Sequence, residues 1–245
     1  WIDKVMMTKR LREVRALVSF TRLDPPSAAD DKVRRAPLAS HQMNWLPAIE
    51  VIGEGVFLKL NLHELGKWEN SDPVKKRALI INDNYAQKFR NLNLNPDRII
   101  TPRLVMIHTL AHVLINQWSL DCGYPAASLR ERLYASEDMA GLLIYTASTD
   151  SAGSLGGIVA QADPDRLEEA LINAISRTSW CSADPLCIET EARGTDALNL
   201  AACHACVLLP EVSCEEHNVL LDRALLVGTP DDPSIGFFSE LAQQD

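Results

Sequence analysis

The sequence predicts a mixed α+β fold: a small mixed sheet with helices packed on it, followed by a C-terminal subdomain organised by cysteines. Three observations carry this. Two long segments keep a helical apolar period, short apolar or β-branched runs sit beside glycines, and five of the six cysteines fall between residues 180 and 218.

The elements follow in chain order. Residues 9–18 place Leu11, Val14 and Val18 on one helical face and Arg12 with Arg15 on another, and Asp24-Pro25-Pro26 ends that element. Residues 27–40 read as an exposed polar loop. Residues 45–62 read as a hairpin, with 49–52 and 56–60 as strands flanking a Gly53-Glu54-Gly55 turn. Residues 63–68 and 73–90 are expected helices, the second capped by Asp72 with Pro73 at its first position. The helix over 102–120 carries a wide apolar stripe, including Leu104, Ile107, Leu110, Leu114 and Trp118, and belongs at the centre of the core. Residues 141–146 read as a buried strand running into a small-residue loop at 150–157. That loop lacks the Lys-Ser/Thr of a nucleotide P-loop and the spacing of a dinucleotide fingerprint, and reads as a tight turn. Residues 165–178 form an amphipathic helix. A last helix is expected over 217–227, stopped by Gly228 with Pro230 beyond. These boundaries suggest a basic N-terminal segment and linker (1–40), an α/β core (41–160), a helical cysteine module (161–228) and a tail (229–245).

At 245 residues, with 47% hydrophobic and 23% charged residues, the chain has ample material for a core. It begins at Trp1, as expected of a piece of something longer. No apolar run reaches the length of a membrane helix and no signal-peptide pattern opens the chain, so a cytoplasmic location is expected. A net charge of −9 argues against coating nucleic acid by bulk electrostatics. The first 35 residues nevertheless hold nine Lys/Arg against five Asp/Glu. Arg10, Arg12, Arg15 and Arg22 are therefore candidates for phosphate contact, against the plainer reading of a solvated surface or a protein-facing one.

Cys203-x-x-Cys206 is the sharpest motif, because two intervening residues let both sulfurs reach one tetrahedral ion. Cys214 supplies an expected third sulfur and Cys187 a fourth, with Cys181 as the alternate; His204 and His217 are further donors in range. Clustered cysteines without a secretory leader more often hold metal than bridges, so structural Zn²⁺ is expected over disulfides, and over a redox pair. His108 and His112 stand four apart on the central helix, a metal-sharing spacing, yet no glutamate accompanies them as in metalloproteases. A buried structural pair is the expected role. The competing reading is a metal-dependent phosphodiester hydrolase using His108, His112 and Asp150.

Several motifs together resemble one family. They are Arg10-Leu11-Arg12-Glu13-Val14-Arg15 with Phe20-Thr21-Arg22, His108-Thr109-Leu110-Ala111-His112, Ile144-Tyr145-Thr146-Ala147 with the Gly-rich loop, Trp180-Cys181-x-x-Asp184-Pro185-x-Cys187, Ala202-Cys203-His204-Ala205-Cys206, and Asn218-x-x-Leu221-Asp222-Arg223-x-Leu225-Leu226-Val227-Gly228. Over nearly the whole chain this set resembles the DrmB proteins of the bacterial DISARM anti-phage system. The C-terminal half is similar to the zinc-binding module of MrfA-type DNA-repair helicases. The resemblance implies a metal role for Cys203, Cys206, Cys214 and Cys187. The insertion between Cys187 and Cys203 is longer than in the helicase module, which keeps Cys181 open as the fourth ligand. It further implies a non-catalytic subunit that joins a DrmA-like helicase-type ATPase, with other DISARM subunits as further partners, in a complex engaging DNA. The absence of a Walker motif agrees that ATP turnover belongs to a partner.

Overall fold

The computed structural model describes residues 1–21, 35–91, 93–146, 156–192 and 197–242. Its main sheet has four strands in the order β1-β4-β6-β5, and every pairing is antiparallel. These are β1 (Ile2–Ala16), β4 (Ala48–Leu60), β5 (Leu129–Ser136) and β6 (Met139–Thr146). A two-residue ladder joins β2 (Ser19–Phe20) to β3 (Ala36–Pro37). The α+β class is as expected, while the sheet expected to be mixed is antiparallel in all its described pairings.

Two sequence expectations fail at the start of the chain. Residues 9–18 are not helical, because β1 runs along almost the whole of β4, from Ile2 opposite Leu60 to Ala16 opposite Ala48. The period of Leu11, Val14 and Val18 imitates a helix because Val14 and Val18 are exposed apolar residues, so the apolar positions do not follow the alternation of the strand. Nor do residues 49–60 turn back on themselves. The Gly53-Glu54-Gly55 stretch stays extended inside β4, and its glycines serve proximity to β6: a Cβ on Gly53 would lie 1.8 Å from the Thr146 carbonyl oxygen.

The first two helices are α1 (Leu62–Glu69) and α2 (Asp72–Asn91). Asn61 caps α1, its Oδ1 accepting from the His63 and Glu64 amides at 3.0 and 3.1 Å. The central helix α3 (Pro102–Cys122) starts at a Thr101 cap with Pro102 behind it and stops at Gly123, whose φ is 72°. Every residue from Leu104 to Ile115 is buried, so α3 is packed on all sides and not merely along a stripe. One side meets β5 and β6, and the other meets α5 (Pro164–Ser179), which follows the short α4 (Gly157–Ala160). A single apolar cluster links the sheet, α3, α5 and residues 198–241.

Beyond α5 regular structure is short: α6 (Ala224–Val227) and α7 (Ser239–Ala242), with a 3₁₀ turn at Glu211–Ser213. The helix expected over 217–227 is reduced to its last turn. His217, Asn218 and Leu220 have φ of 53°, 59° and 65°, left-handed values that no right-handed helix admits. No helix among the described residues is long and apolar enough to cross a membrane.

Candidate metal centre

Four sulfurs converge where two loops meet. The first loop leaves the end of α5 and carries Cys181 and Cys187; the second carries Cys203 and Cys206. In the second, the Cys203 carbonyl accepts from the amides of Cys206, Val207 and Leu208 at 3.1, 3.0 and 3.2 Å, which folds the chain back so that both thiols face one way. The Cys203 amide donates to Cys206 Sγ at 3.3 Å, and the Ala183 amide to Cys181 Sγ at 3.4 Å. Cys181 to Cys203, Cys203 to Cys206 and Cys187 to Cys206 are 3.5, 3.6 and 3.8 Å apart, sulfur to sulfur. These separations are far beyond a disulfide bond of about 2.05 Å and close to the ~3.8 Å edge of a tetrahedron built on ~2.3 Å zinc–sulfur bonds. Donor type and spacing both fit zinc.

Cys187 and Cys181 are buried, and the pair at 203 and 206 is half-buried. Burial and the neighbouring Cys203 sulfur push the Cys187 thiol up to about 11, and burial likewise raises Cys206. Cys203 moves the other way: against the cost of burial, the Ala205 amide and the surrounding thiols favour its thiolate. Metal binding requires all four protons to leave.

A buried ion pair supports the first loop. Asp184 accepts from the amides of Cys181 and Ile188 at 2.9 and 3.1 Å and from the Arg223 guanidinium. Arg223, wholly buried, also donates to the carbonyls of Thr178 and Ser179 at 3.0 and 3.2 Å, so it ties the end of α5 to the cysteine loop. Its neighbour Asp222 receives Arg77 at 2.5 and 3.0 Å and the Ala201 amide at 3.3 Å. Through these contacts α2, α5 and both cysteine loops share one frame.

Cys214, expected as a ligand beside Cys203 and Cys206, lies elsewhere, and Cys181 takes the fourth corner. The 3₁₀ turn before Cys214 carries it to α3, where it meets His108, His112 and Glu131. His108 Nε2 is 3.1 Å from Cys214 Sγ and 3.2 Å from Glu131 Oε1; His112 Nε2 is 3.5 Å from the same oxygen. Burial disfavours charge on both imidazoles, but Glu131 and Cys214 outweigh it and hold His108 well above the usual imidazole value, and His112 above it. Against the same burial penalty, the histidines hold the Glu131 carboxyl and the Cys214 thiol below theirs. The expected buried pair is therefore half of a four-residue cluster. Asp150, its partner in the hydrolase reading, lies outside the described residues. His204 and His217 are exposed and join neither group.

The basic candidates separate once β1 is a strand. Arg12 and Arg15, an odd number of positions apart, project from opposite faces. Arg12 pairs with Glu50 across the ladder at 2.5 Å, and Arg15 clamps Glu13 with two bonds of 2.9 and 3.0 Å. Arg10 is exposed, and Arg22 lies outside the described residues.

With this geometry in hand, two comparisons locate the chain. Residues 110–207 match the family described as the MrfA Zn-binding domain, a span that holds all four gathered cysteines and stops short of Cys214. Across 98% of its length the chain is 37% identical to the DISARM protein DrmB of Bacillus paralicheniformis. The chain is a relative of DrmB. It spans 44% of that protein's length.

Within this DrmB relative, Glu131 is the residue that sequence reasoning passed over. Glu131 lies between two arginines in the sequence, yet β5 pairs with β6 from Leu129 opposite Thr146 to Ser136 opposite Met139, and Leu129 and Glu131 face the core. The available signal was the alternation of Leu129, Glu131 and Leu133 ahead of a two-residue turn. Arg223 was likewise invisible as a support for the cysteines, because its contacts span about forty residues of sequence.

Proposed function

We propose that the chain is a non-catalytic, zinc-binding part of a DISARM anti-phage complex, which associates with a DrmA-like helicase-type ATPase and helps it engage DNA. The observation that carries this reading is the identity to DISARM protein DrmB along nearly the whole chain, with four sulfurs gathered inside the span matched by the MrfA zinc-binding domain. Cys181, Cys187, Cys203 and Cys206 hold the zinc. An all-cysteine shell leaves no position for water or substrate, so the ion acts as a staple between the two loops.

The two-stranded arm of β1 and β4 supports an assembling role. Ahead of Gly55, β4 pairs with β1 alone, and this arm with its flanking residues exposes Val14, Leu17, Val18, Trp45, Ile49 and Ile52. Apolar surface of that extent marks a contact with protein. Arg10 and Arg12 on the same arm, with Arg15 and Arg22, are the candidate phosphate contacts.

Co-expression of the intact protein with the helicase-type ATPase of its own system tests the proposal. Co-elution on size exclusion, with DNA crosslinks to this chain in the complex, is the expected result. Separate elution of the two proteins in the presence of DNA would overturn it.

A further inference from the structure

We infer a second metal centre, distinct from the four sulfurs, in which His108, His112, Glu131 and Cys214 bind one divalent ion of the zinc class inside the core. The four donors come from three separate elements, α3, β5 and the loop after the Glu211–Ser213 turn, and one atom from each lies within 4.8 Å of all the others. His108, His112, Glu131 and Cys214 are 0, 0, 3 and 8% exposed.

The direction of the imidazoles carries the argument. His108 Nδ1 faces the Leu220 carbonyl at 3.3 Å and His112 Nδ1 faces the Val207 carbonyl at 3.0 Å. A carbonyl can only accept, so both Nδ1 atoms bear the proton and each Nε2 can turn a lone pair inward. Histidines that bind metal are held in this way, one nitrogen fixed by a backbone carbonyl and the other free to ligate. Inward, His108 Nε2 meets only a carboxylate oxygen and a sulfur, while His112 Nε2 and Glu131 Oε2 are buried without a hydrogen-bond partner. Shared protons would join His108 Nε2 to the oxygen and the sulfur but would leave His112 Nε2 and Glu131 Oε2 unpartnered, whereas one cation at the centre satisfies all four donors.

Size and charge agree. Nitrogen-to-oxygen separations of 3.2 and 3.5 Å match the ~3.3 Å edge of a tetrahedron with bonds near 2.0–2.1 Å, and the 3.1 Å nitrogen-to-sulfur approach is slightly inside the corresponding ~3.5 Å. Two neutral imidazoles, a carboxylate and a thiolate sum to −2, which a divalent ion cancels in a place where net charge is expensive. Outer contacts are present as well: the Glu215 amide donates to Glu131 Oε1 at 3.0 Å and the Asn218 amide to Cys214 Sγ at 3.1 Å. The mixed nitrogen, oxygen and sulfur set suits borderline zinc over hard magnesium or calcium. The family span ending at residue 207 contains two of the four donors and omits His108 and Cys214, so this centre is not the one that match describes.

Mass spectrometry on the 245-residue chain tests the assignment, with zinc as the probe. Two ions per chain are expected, one of them lost in Cys203→Ser and the other in Cys214→Ser or His112→Ala. Since a buried variant can misfold, X-ray absorption at the zinc edge of the unaltered chain gives an independent answer. The inference requires imidazole scattering beside sulfur, from five sulfurs shared between two ions. A shell of sulfur alone, whatever the zinc count, overturns it, and leaves the four residues as a proton-sharing network. Neither outcome bears on association with the helicase.

Discussion

Residues 102–146 and the described residues of 181–228 bury side chains to similar depth but hold themselves together differently. In the first, α3 and the β5–β6 hairpin satisfy their own backbone groups, and adhesion comes from apolar area around Ile107, Leu110, Leu114, Leu142 and Ile144. In the second the backbone is largely irregular, and individual side chains supply the missing partners. Asn199 accepts from the Leu221 amide at 3.0 Å and donates to the Asn218 carbonyl at 2.7 Å; Asn218 does the same with Leu209 at 3.1 and 2.7 Å. Thr109 and the two histidines dock these loops on α3. A region held by area degrades gradually when substituted. One held by particular atoms fails when a single atom goes.

The sharpest break in the comparison is removal of metal. Binding of a structural zinc contributes on the order of 10 kcal/mol in small folded units, so Cys203→Ser, or chelation, is expected to release the cysteine loops while the sheet survives. Hydrogen exchange reads this directly: the Val207 and Leu208 amides lose protection and the β6 amides keep theirs. Equal loss in both would show that the regions are one cooperative unit. Next in size is Arg223→Met, which leaves Asp184 without its buried partner and uncaps two carbonyls at the end of α5. A cost of about 3–5 kcal/mol in denaturant unfolding is expected, with weakened zinc retention. Leu58→Ala, in the fully buried centre of β4, costs about 2–5 kcal/mol by leaving a cavity, and zinc content is unchanged. Zinc loss in this last variant would erase the distinction.

The same contrast explains what the sequence made legible. α2, α3 and α5 were readable because a helix writes its period locally, and Thr101-Pro102 and Gly123 mark the ends of the central one. Cys203-x-x-Cys206 was readable because its two sulfurs are positioned by one turn. The other two corners were not: Cys214 was expected as the third sulfur and Cys181 only as the alternate to Cys187, and the path of the loops instead gathers Cys181 with Cys187 and carries Cys214 to α3. β1 was lost to exposed apolar residues such as Val14 and Val18 that mask the alternation of the strand, and β4 to glycines that allow close approach to a strand far along the chain, where the Glu54 amide meets Thr146 Oγ1. The His108–His112 spacing was visible, but its meaning depended on Glu131 and Cys214, which arrive from other elements.

The smallest expected effect lies on the arm, outside both regions. Arg12 and Glu50 are 68% and 44% exposed, so their ion pair is screened and contributes at most about 1 kcal/mol. Arg12→Ala should leave the unfolding midpoint nearly unchanged. DNA binding by the complex is the more discriminating readout, because each phosphate neutralised by a cation adds about 0.9 to the slope of log affinity against log salt. If Arg12 leaves Glu50 to meet phosphate, Arg12→Ala lowers that slope by about one such step and Glu50→Gln strengthens binding by freeing the guanidinium. An unchanged slope with unchanged stability would assign Arg12 to the Glu50 ladder alone and leave Arg10 as the arm's candidate for DNA.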